Sequence, residues 1–493
     1  MRFLRFVVAA VLVVAAAPVA RADDPQGLLA KHQAFTGWKF LDPAMQSLTE
    51  TQTIVDAGGK TVETDRIARI GAAYRNDTHI VKSNTDSSDG FTGRLFWYSD
   101  PNGFTVPVIG NAARTNLAED LFFSDAVAAL PWSVAGTKRL WNKTVDVVRV
   151  HQENAGDMDL YVDPDTGAYA GIEIDPTGQN DETIRVLAYG DAASGKKIIT
   201  RWQYDGGTHT RVIGDVKTDA NIAPDTLHPP APSAHWQFSN STPFPITLEH
   251  ERIIVKAKVN GVQGTFMLDS GASNIFLSGA FARRAGLNAT GHSEAYTLYG
   301  SDKTDVGQAS SIEIGGNVLN DVTLYFGQAE FDANAPDGLL GFDLLAGAFV
   351  TVDFEHATMQ IQDPQAVIDG TVPGVHVGVE LSDGTPSAPM DIQKKSVTVD
   401  TTFDTGSPEF VLIPWDLPEN YGLHFSLPSG SHGCGQLDDM SLGPIVYETP
   451  SACTDDALSG RTALVGLDFL KGLGKLHFDY SHALVIMTPR NVK

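Results

Sequence analysis

The sequence predicts a mainly β protein whose second half is one unit used twice. Many short apolar runs end at glycine, proline or asparagine, which is typical of strands joined by tight turns. A strand that leads into an acid, a hydroxyl residue and a glycine occurs at residues 266–271 and again at residues 401–406. The length of 493 residues is too great for one hydrophobic core, so two or three domains are expected.

The first 22 residues predict a cleavable export signal. Arg2 and Arg5 give it a basic start, and residues 7–17 form its apolar core. Residues 20–22 read Ala-Arg-Ala, which fits a signal-peptidase site. Since no later apolar run is long enough to cross a bilayer, the sequence predicts an exported protein, periplasmic or secreted, with no membrane span.

The charge and the missing motifs exclude several classes of function. The net charge of −25 argues against nucleic acid or an anionic membrane surface as a partner. The sequence contains no His-Glu-x-x-His motif, no phosphate-binding loop and no Gly-x-Ser-x-Gly motif. We therefore predict no metal site and no cofactor.

Cys434 and Cys453 are the two cysteines of the chain. In an exported protein such a pair predicts one disulfide across a short loop. Two free thiols or two metal ligands are the alternatives, and a metal is disfavoured because no Cys-x-x-Cys motif lies nearby.

Residues 23–221 predict an α+β domain built on an antiparallel sheet. A helix is expected at residues 26–35, a hairpin at residues 47–70 and a second helix at residues 116–130. Further strands are expected at residues 94–98, 145–151, 159–162, 169–174, 184–189 and 198–204. With the hairpin at residues 161–167, this strand rhythm is similar to the periplasmic lipoprotein-carrier fold. That resemblance implies a half-barrel with an apolar interior and carries no catalytic residue.

A third Asp-Thr-Gly, which begins at Asp165, lies in that last hairpin. It follows Asp163 and Pro164 instead of an apolar strand, and Pro-Asp-Thr-Gly is ordinary turn chemistry with Gly167 at the left-handed position. No apolar-apolar-Gly segment follows it at a comparable distance. We therefore interpret this copy as a structural turn.

Residues 222–246 predict a semi-rigid, proline-rich linker. The repeated unit then occupies two lobes, at residues 247–370 and 371–493. Because an extended linker is an accessible cleavage site, one hypothesis is that the N-terminal domain is a propeptide removed on activation.

In the first lobe, a hairpin at residues 253–268 leads directly to Asp269. A two-stranded flap with a polar tip at residues 301–305 is expected next, and Leu-Leu-Gly at residues 339–341 closes the unit. In the second lobe, a strand leads to Asp404, and Leu-Val-Gly closes the unit. The two lobes match in plan but not in detail, since their middle parts differ in length.

One acid in each lobe suits a reaction that needs two carboxylates sharing one proton. Two like charges about 3 Å apart cannot both ionise, so one carboxyl keeps its proton while the other takes a proton from water. The glycine after each acid lets two backbones approach closely, because it has no Cβ.

Together these motifs resemble the retropepsin/pepsin-like aspartic proteases, joined as a bilobal single chain. Residues 260–273 are similar to the first strand and catalytic loop of that family. Residues 339–341 and 464–466 are similar to the element that completes a ψ-shaped loop beneath each aspartate. The resemblance covers about residues 247–490 and implies a double-lobe β-barrel domain.

The resemblance implies a role for each motif residue. Asp269 and Asp404 would be the catalytic pair. Tyr296 or Tyr299 would be the flap tyrosine, with plain sheet packing as the alternative. Ser407 is expected to hydrogen-bond an aspartate and lower its pKa. The supporting positions are the loop residues Ser270, Gly271, Thr405, Gly406 and Ser407 and the ψ-loop glycines Gly341 and Gly466, with Ser270 and Thr405 bonding across the lobes.

These expectations combine into one function, an exported aspartic endopeptidase that hydrolyses peptide or protein substrates with a water activated by the two aspartates. Because one chain supplies both acids, a monomer is expected, and retroviral-style pairing with a second chain is the alternative. The rival from another class is a catalytically silent exported protein that binds peptides or lipids.

Overall fold

The structure, a computed structural model, describes residues 24–37, 47–175, 182–192, 196–218, 220–297, 300–327, 335–367, 370–381, 384–427 and 433–490. The predicted export signal at residues 1–22 and the flap candidate Tyr299 lie outside the described residues. The described chain is mainly β, as predicted. None of its helices is long and apolar enough to cross a membrane.

The N-terminal part of the described chain forms one antiparallel sheet of thirteen strands. These strands are β1 (Ser47–Val55), β2 (Thr61–Ile70), β3 (Ala73–Ile80), β4 (Thr85–Phe91), β5 (Phe96–Ser99), β6 (Thr105–Val108), β7 (Ser133–Leu140), β8 (Lys143–Gln152), β9 (Gly156–Val162), β10 (Tyr169–Ile174), β11 (Glu182–Asp191), β12 (Lys197–Tyr204) and β13 (Thr210–Thr218). Their order is β6-β5-β4-β3-β2-β1-β13-β12-β11-β10-β9-β8-β7. Two meanders therefore meet where β1 pairs with β13.

Two helices pack on this sheet, α1 (Pro25–Thr36) and α2 (Gly110–Phe123). The Asp24 side chain caps the first turn of α1, which suits the donors left free at a helix start. Leu28 from α1 and Phe122 from α2 are buried in one hydrophobic core with residues of β8 to β12. This arrangement agrees with the predicted α+β domain built on an antiparallel sheet.

The second helix lies earlier in the chain than the predicted residues 116–130. Its first turn includes Asn111, whose N–H donates to the Glu380 carboxylate of the second lobe. Asp125, with φ of +58°, separates the helix from a 3-10 turn at Ala126–Ala129. The prediction merged two elements and missed the cap because the capping carboxylate is remote in sequence.

The remaining strands build the two lobes. They are β14 (His235–Gln237), β15 (Phe244–Pro245), β16 (Thr247–Glu249), β17 (Arg252–Val259), β18 (Val262–Leu268), β19 (Phe276–Ser278), β20 (Ala289–Thr297), β21 (Gly300–Ile314), β22 (Asn317–Gly327), β23 (Gly338–Leu340), β24 (Phe349–Asp353), β25 (Thr358–Gln362), β26 (Val375–Gly378), β27 (Ser387–Ile392), β28 (Val397–Phe403), β29 (Val411–Pro414), β30 (Cys434–Gln436), β31 (Asp439–Leu442), β32 (Ile445–Glu448), β33 (Ser451–Asp455), β34 (Thr462–Val465), β35 (Leu473–Asp479) and β36 (Leu484–Pro489). Short helices lie between them: α3 (Gly279–Arg284), α4 (Phe342–Ala346), α5 (Leu417–Asn420) and α6 (Leu467–Leu470).

Each lobe has its own sheet among the described residues. The first follows the order β14-β22-β19-β23-β18-β17-β21-β20, and a further β21–β22 pairing closes it into a barrel. The second follows the order β30-β33-β29-β34-β28-β27-β31-β32. The predicted disulfide is present, since Cys434 and Cys453 are bonded between the paired strands β30 and β33.

A third sheet lies beneath both lobes and joins them. Its order is β15-β25-β24-β35-β36-β26. β24 from the first lobe pairs with β35 from the second, where Val350 lies opposite Phe478. One hydrophobic core runs through both lobes and this shared sheet. The lobes are therefore parts of one packed body.

The predicted linker, residues 222–246, is partly strand. β14 pairs with β22 of the first lobe, and β15 pairs with β25 of the shared sheet. Its prolines keep the chain extended, and the extended chain adds to sheet edges. The domain boundaries themselves stay predictions.

The two-stranded hairpin that the sequence predicts here is present as β20 and β21, its role as a flap stays a prediction, and its predicted tip is wrong. Thr297 lies opposite Gly300, so the turn comes before the expected tip at residues 301–305. Those polar residues belong to β21. Residues 301–303 are exposed and Thr304 is buried, so their polarity reflects the exposed end of a strand and not a turn.

Candidate active site

Both predicted acids leave strands that have a parallel neighbour. β18 pairs with β23, and β28 pairs with β34. The Asp269 N–H donates to the Leu340 carbonyl at 3.0 Å, and the Asp404 N–H donates to the Val465 carbonyl at 2.9 Å. The apolar-apolar-Gly segments therefore hold the backbone of each acid at the end of its strand.

Gly341 and Gly466 allow the chain to cross beneath each acid at close range. A Cβ on Gly341 would lie 2.3 Å from the Ala272 carbonyl oxygen, and the next residue, Phe342, donates its N–H to that same oxygen. A Cβ on Gly466 would lie 2.3 Å from the Glu409 carbonyl oxygen. Neither backbone crossing leaves room for a side chain, which explains why both units carry glycine here.

Ser270 and Thr405 bond across the lobes from fully buried positions. The Ser270 hydroxyl donates to the Phe403 carbonyl at 2.7 Å, and the Thr405 hydroxyl donates to the Leu268 carbonyl at 2.9 Å. Each hydroxyl oxygen also accepts the backbone N–H of the other residue at 3.0 Å. Four buried hydrogen bonds therefore lock the two loops together.

The two loops bring Asp269 and Asp404 side by side. A Cβ on Gly271 would lie 2.5 Å from the Asp404 Cγ, and a Cβ on Gly406 would lie 2.4 Å from the Asp269 Oδ1. Each glycine also donates its N–H to the acid two residues before it, at 3.0 Å for Asp269 and 2.7 Å for Asp404. Interaction between the two carboxyl groups raises the pKa of Asp269 and lowers the pKa of Asp404, which is the pattern of a pair that shares one proton.

Burial raises the pKa of both carboxyls, and the neighbouring charge of Asp404 raises the pKa of Asp269 further. Backbone N–H groups oppose this rise at each acid because they favour the ionised form. Both side chains keep partial solvent exposure, so the pair is enclosed by protein but open on one side. Such a pair can hold one proton between its members and reach a bound water.

The expected role of Ser407 is wrong for its side chain. The Ser407 hydroxyl donates to the Glu409 carboxylate at 3.0 Å and not to an aspartate. Its backbone N–H is one of several groups that lower the pKa of Asp404, after Asp269 and the Gly406 N–H. The Ser407 hydroxyl is therefore bound to the Glu409 carboxylate, two residues further along the loop.

The flap candidates stay predictions. Tyr296 is 79% exposed, and its hydroxyl donates to Glu294 on the same strand. Tyr299 lies outside the described residues.

The flap hairpin touches the N-terminal sheet, which the sequence did not predict. The His292 N–H donates to the Lys82 carbonyl at 2.8 Å, and the Lys82 ammonium pairs with Glu294 at 2.8 Å. A Cβ on Gly291 would lie 1.9 Å from the Ser83 carbonyl oxygen. The turn between β3 and β4 therefore rests directly on β20.

A second contact links the N-terminal sheet to the first ψ-loop. The Asn102 amide donates to the Asp343 carboxylate at 3.1 Å, and Asp343 also accepts the Ile275 N–H. Asp100 lies beside this pair, and burial raises the pKa of Asp343 to about 6. A repeated Gly-x-Asp, with Asp468 as its counterpart, was the sequence signal for this position.

Tyr480 is a further residue near the acids that the sequence did not single out. It is fully buried in the 3-10 turn between β35 and β36, and its ring lies 5.7 Å from that of Phe342. Burial raises the pKa of its hydroxyl, and the charges of Asp269 and Asp404 raise it further. No local pattern marks this tyrosine, because its position depends on the shared sheet.

The third Asp-Thr-Gly forms a turn, as predicted. The Asp165 and Thr166 N–H groups both donate to the Asp163 carboxylate at 3.0 Å, and Gly167 has φ of +76°. Within the described part of the chain, no group of three or more histidine, cysteine, aspartate or glutamate side chains could hold a metal ion.

Residues 255–344 match the family model of the aspartyl proteases. This match contains Asp269 and the first ψ-loop, so the first lobe resembles an aspartyl protease, as predicted. Among solved structures, an aspartic proteinase from Irpex lacteus is similar over 52% of this chain and 98% of its own, at 12% identity and a TM-score of 0.37.

Two more solved structures are similar to parts of the chain. A retropepsin-like aspartic protease from Rickettsia conorii covers 23% of this chain and 79% of its own, at 25% identity and a TM-score of 0.18. A LolA superfamily protein from Nitrosomonas europaea covers 42% of this chain and 97% of its own, at 15% identity and a TM-score of 0.30. No curated protein matches the chain.

Proposed function

We propose that the chain is an exported aspartic endopeptidase with Asp269 and Asp404 as its catalytic pair. The observation that carries the proposal is the reciprocal approach of the loops, in which the glycine of each loop faces the acid of the other. Two independent acids would have no need of this symmetry. Two acids that share one proton must lie close together, and the approach of the two loops brings them close.

In this proposal, the ionised carboxylate takes a proton from a water bound between the two acids. The water oxygen attacks the peptide carbonyl carbon, and the protonated carboxyl gives its proton to the carbonyl oxygen. The tetrahedral intermediate then collapses as its hydroxyl returns a proton to one carboxylate, the C–N bond breaks and the other carboxyl protonates the leaving nitrogen. The pair ends with one proton, as it began.

Three findings support the proposal besides the geometry. Residues 255–344 match the aspartyl protease family model. Burial raises the pKa of both acids, and the charge of Asp404 raises the pKa of Asp269 further, which favours retention of one proton by the pair. The disulfide between Cys434 and Cys453 suits an oxidising compartment, which supports export.

The test is digestion of an unbiased peptide mixture between pH 3 and pH 8 by the full chain. We expect cleavage by the wild type, inhibition by a statine-type transition-state analogue, and loss of cleavage in Asp269→Asn and in Asp404→Asn. Asp165→Asn is the matched control, because it changes an exposed acid in the third Asp-Thr-Gly and should leave cleavage unchanged.

Activity that survives both substitutions would refute the proposed dyad. Absence of cleavage by the wild type at every pH, before and after cutting within residues 222–246, would favour the rival function, a silent peptide- or lipid-binding protein. A linear dependence of activity on protein concentration down to high dilution would support a monomer.

A further inference from the structure

The N-terminal sheet encloses a cavity of about 750 Å³ that the proposed protease chemistry does not use. It lies between the sheet and α2, and its volume is in the range typical of small-molecule sites. Much of its wall is aromatic. The aromatic residues are Tyr74, Phe91, Trp97, Tyr98, Phe122, Phe123, Tyr169, Tyr189, Trp202 and Tyr204.

The same cavity is lined by more acids than bases. Seven carboxylates line it, against three lysine or arginine side chains and one histidine. Three of the acids have a basic partner: Asp120 pairs with Arg69, Glu63 with Arg211 at 3.9 Å, and Asp125 with His32. The other four acids are Glu50, Asp65, Asp89 and Glu119.

Neutral side chains hold these four acids. Asn76 donates to Asp89 at 3.0 Å, and Tyr204 donates to Glu119 at 2.8 Å. In the same way, Gln52 donates to Glu50 and Thr78 donates to Asp65. Within the described residues, none of the four has a lysine, arginine or histidine within ion-pair distance.

The Arg211 guanidinium attracts several of these carboxyl groups from beyond ion-pair distance. Arg211 lies over the rings of Trp202 and Tyr204, at 4.9 and 5.4 Å from their centres. It attracts Asp89 and Glu119, yet burial still raises the pKa of each to about 7. The basic side chains of this cavity therefore do not balance the negative charge of its ionised carboxylates.

The cavity is open to a small molecule at these acids. Asp89 and Glu119 are surrounded by protein but keep accessible surface, because they face the internal space. A buried carboxylate is stabilised when a cation comes within a few ångströms. Aromatic faces attract cations as well, and the wall that Arg211 already uses continues around the cavity.

We propose that this cavity binds an amphiphilic cation, a small molecule with an amine or quaternary ammonium group on an apolar body. The cation lies beside Asp89 and Glu119, and the apolar body packs on the aromatic wall. This binding activity is separate from the proposed peptide hydrolysis and does not depend on it.

The test uses four probes with one octyl chain: octylammonium, octyltrimethylammonium, octyl sulfate and octanol. Binding to the full chain at pH 8 is measured by calorimetry and by the fluorescence of the tryptophans, two of which line the cavity. We expect at least one cation to bind at least about tenfold more tightly than both octanol and octyl sulfate. Equal or tighter binding of octanol or octyl sulfate, or no binding of either cation, would overturn the proposal.

Variants locate the cation. Asp89→Asn and Glu119→Gln keep side-chain size and should each weaken binding of the tighter cation by about tenfold, without changing the affinity for octanol. Glu153→Gln, an exposed acid outside the cavity, is the matched control and should change neither affinity. Circular dichroism establishes that each variant is folded. If both folded variants bind the cation as tightly as the wild type does, the cation does not lie beside Asp89 and Glu119.

Discussion

Ser270 and Thr405 occupy equivalent positions in the two lobes, and the backbone N–H of each donates to the hydroxyl oxygen of the other at 3.0 Å. Neither residue has measurable solvent exposure. The lobes are thus joined directly behind the acids by two side chains that each act as donor and acceptor.

Ser270→Ala and Thr405→Ala should each lower the free energy of unfolding by about 1–3 kcal/mol, because each leaves buried backbone groups without partners. The double variant should lose less than the sum, since both changes break one network. Chemical denaturation measures these values. Thr166→Ala, in the exposed third motif, is the control and should change stability by less than about 0.5 kcal/mol. Strict additivity would contradict a shared network.

Gly271→Ala and Gly406→Ala should each lower peptide hydrolysis by at least about 100-fold, since the new methyl group would displace the facing carboxyl. The measurement is kcat/KM on a peptide found in the digestion screen. Gly27→Ala is the control, because its Cβ would meet open space in α1. Near-normal activity in both loop variants would mean that the acids do not work at this separation.

The pH profile of hydrolysis should be bell-shaped. The active pair holds one proton, so activity falls when the second acid is protonated at low pH and when the last proton leaves at high pH. Burial raises the pKa of both acids, so the high-pH limb should lie above the usual range of an aspartate. The check is kcat/KM from pH 3 to pH 8. A profile that rises steadily to pH 8 would exclude the shared proton.

Removal of the disulfide should destabilise the second lobe by about 3 kcal/mol, because Cys434 and Cys453 close a loop with a sequence separation of 19. The double variant Cys434→Ser with Cys453→Ser should unfold at lower denaturant concentration than the wild type. Reductant should lower the denaturant concentration at which the wild type unfolds to the value of that variant. It should leave the unfolding of the variant unchanged. An effect of reductant on the variant would show that another process is being measured.

Gly291→Ala should detach the flap from the N-terminal sheet, since a methyl group there would overlap the Ser83 carbonyl. Hydrogen exchange should become faster in residues 289–297, and KM for the peptide should change. Gly27→Ala again serves as the control. Unchanged exchange would mean that the flap does not depend on this contact.

The sequence predicted the acid-bearing loops well, because an apolar strand ending in Asp-hydroxyl-Gly is a local signal. It missed β3 and β4, which lack an apolar face. Tyr74 and Asn76 of β3 and Asp89 and Phe91 of β4 line the N-terminal cavity, so aromatic and polar residues share one face and no apolar alternation marks these strands. The bond between Asn102 and Asp343 was beyond reach for a different reason, since it joins residues 241 positions apart.

The shared sheet beneath the lobes also constrains the order of assembly during synthesis. β24, in the first lobe, must wait for β35 to emerge before its outer edge is paired. Asp269 is likewise made long before Asp404, and chains fold from the N-terminus as they are synthesised. A partly synthesised chain therefore contains one of the two acids and an incomplete shared sheet. In the proposed function, hydrolysis therefore has to wait until translation has passed the second lobe.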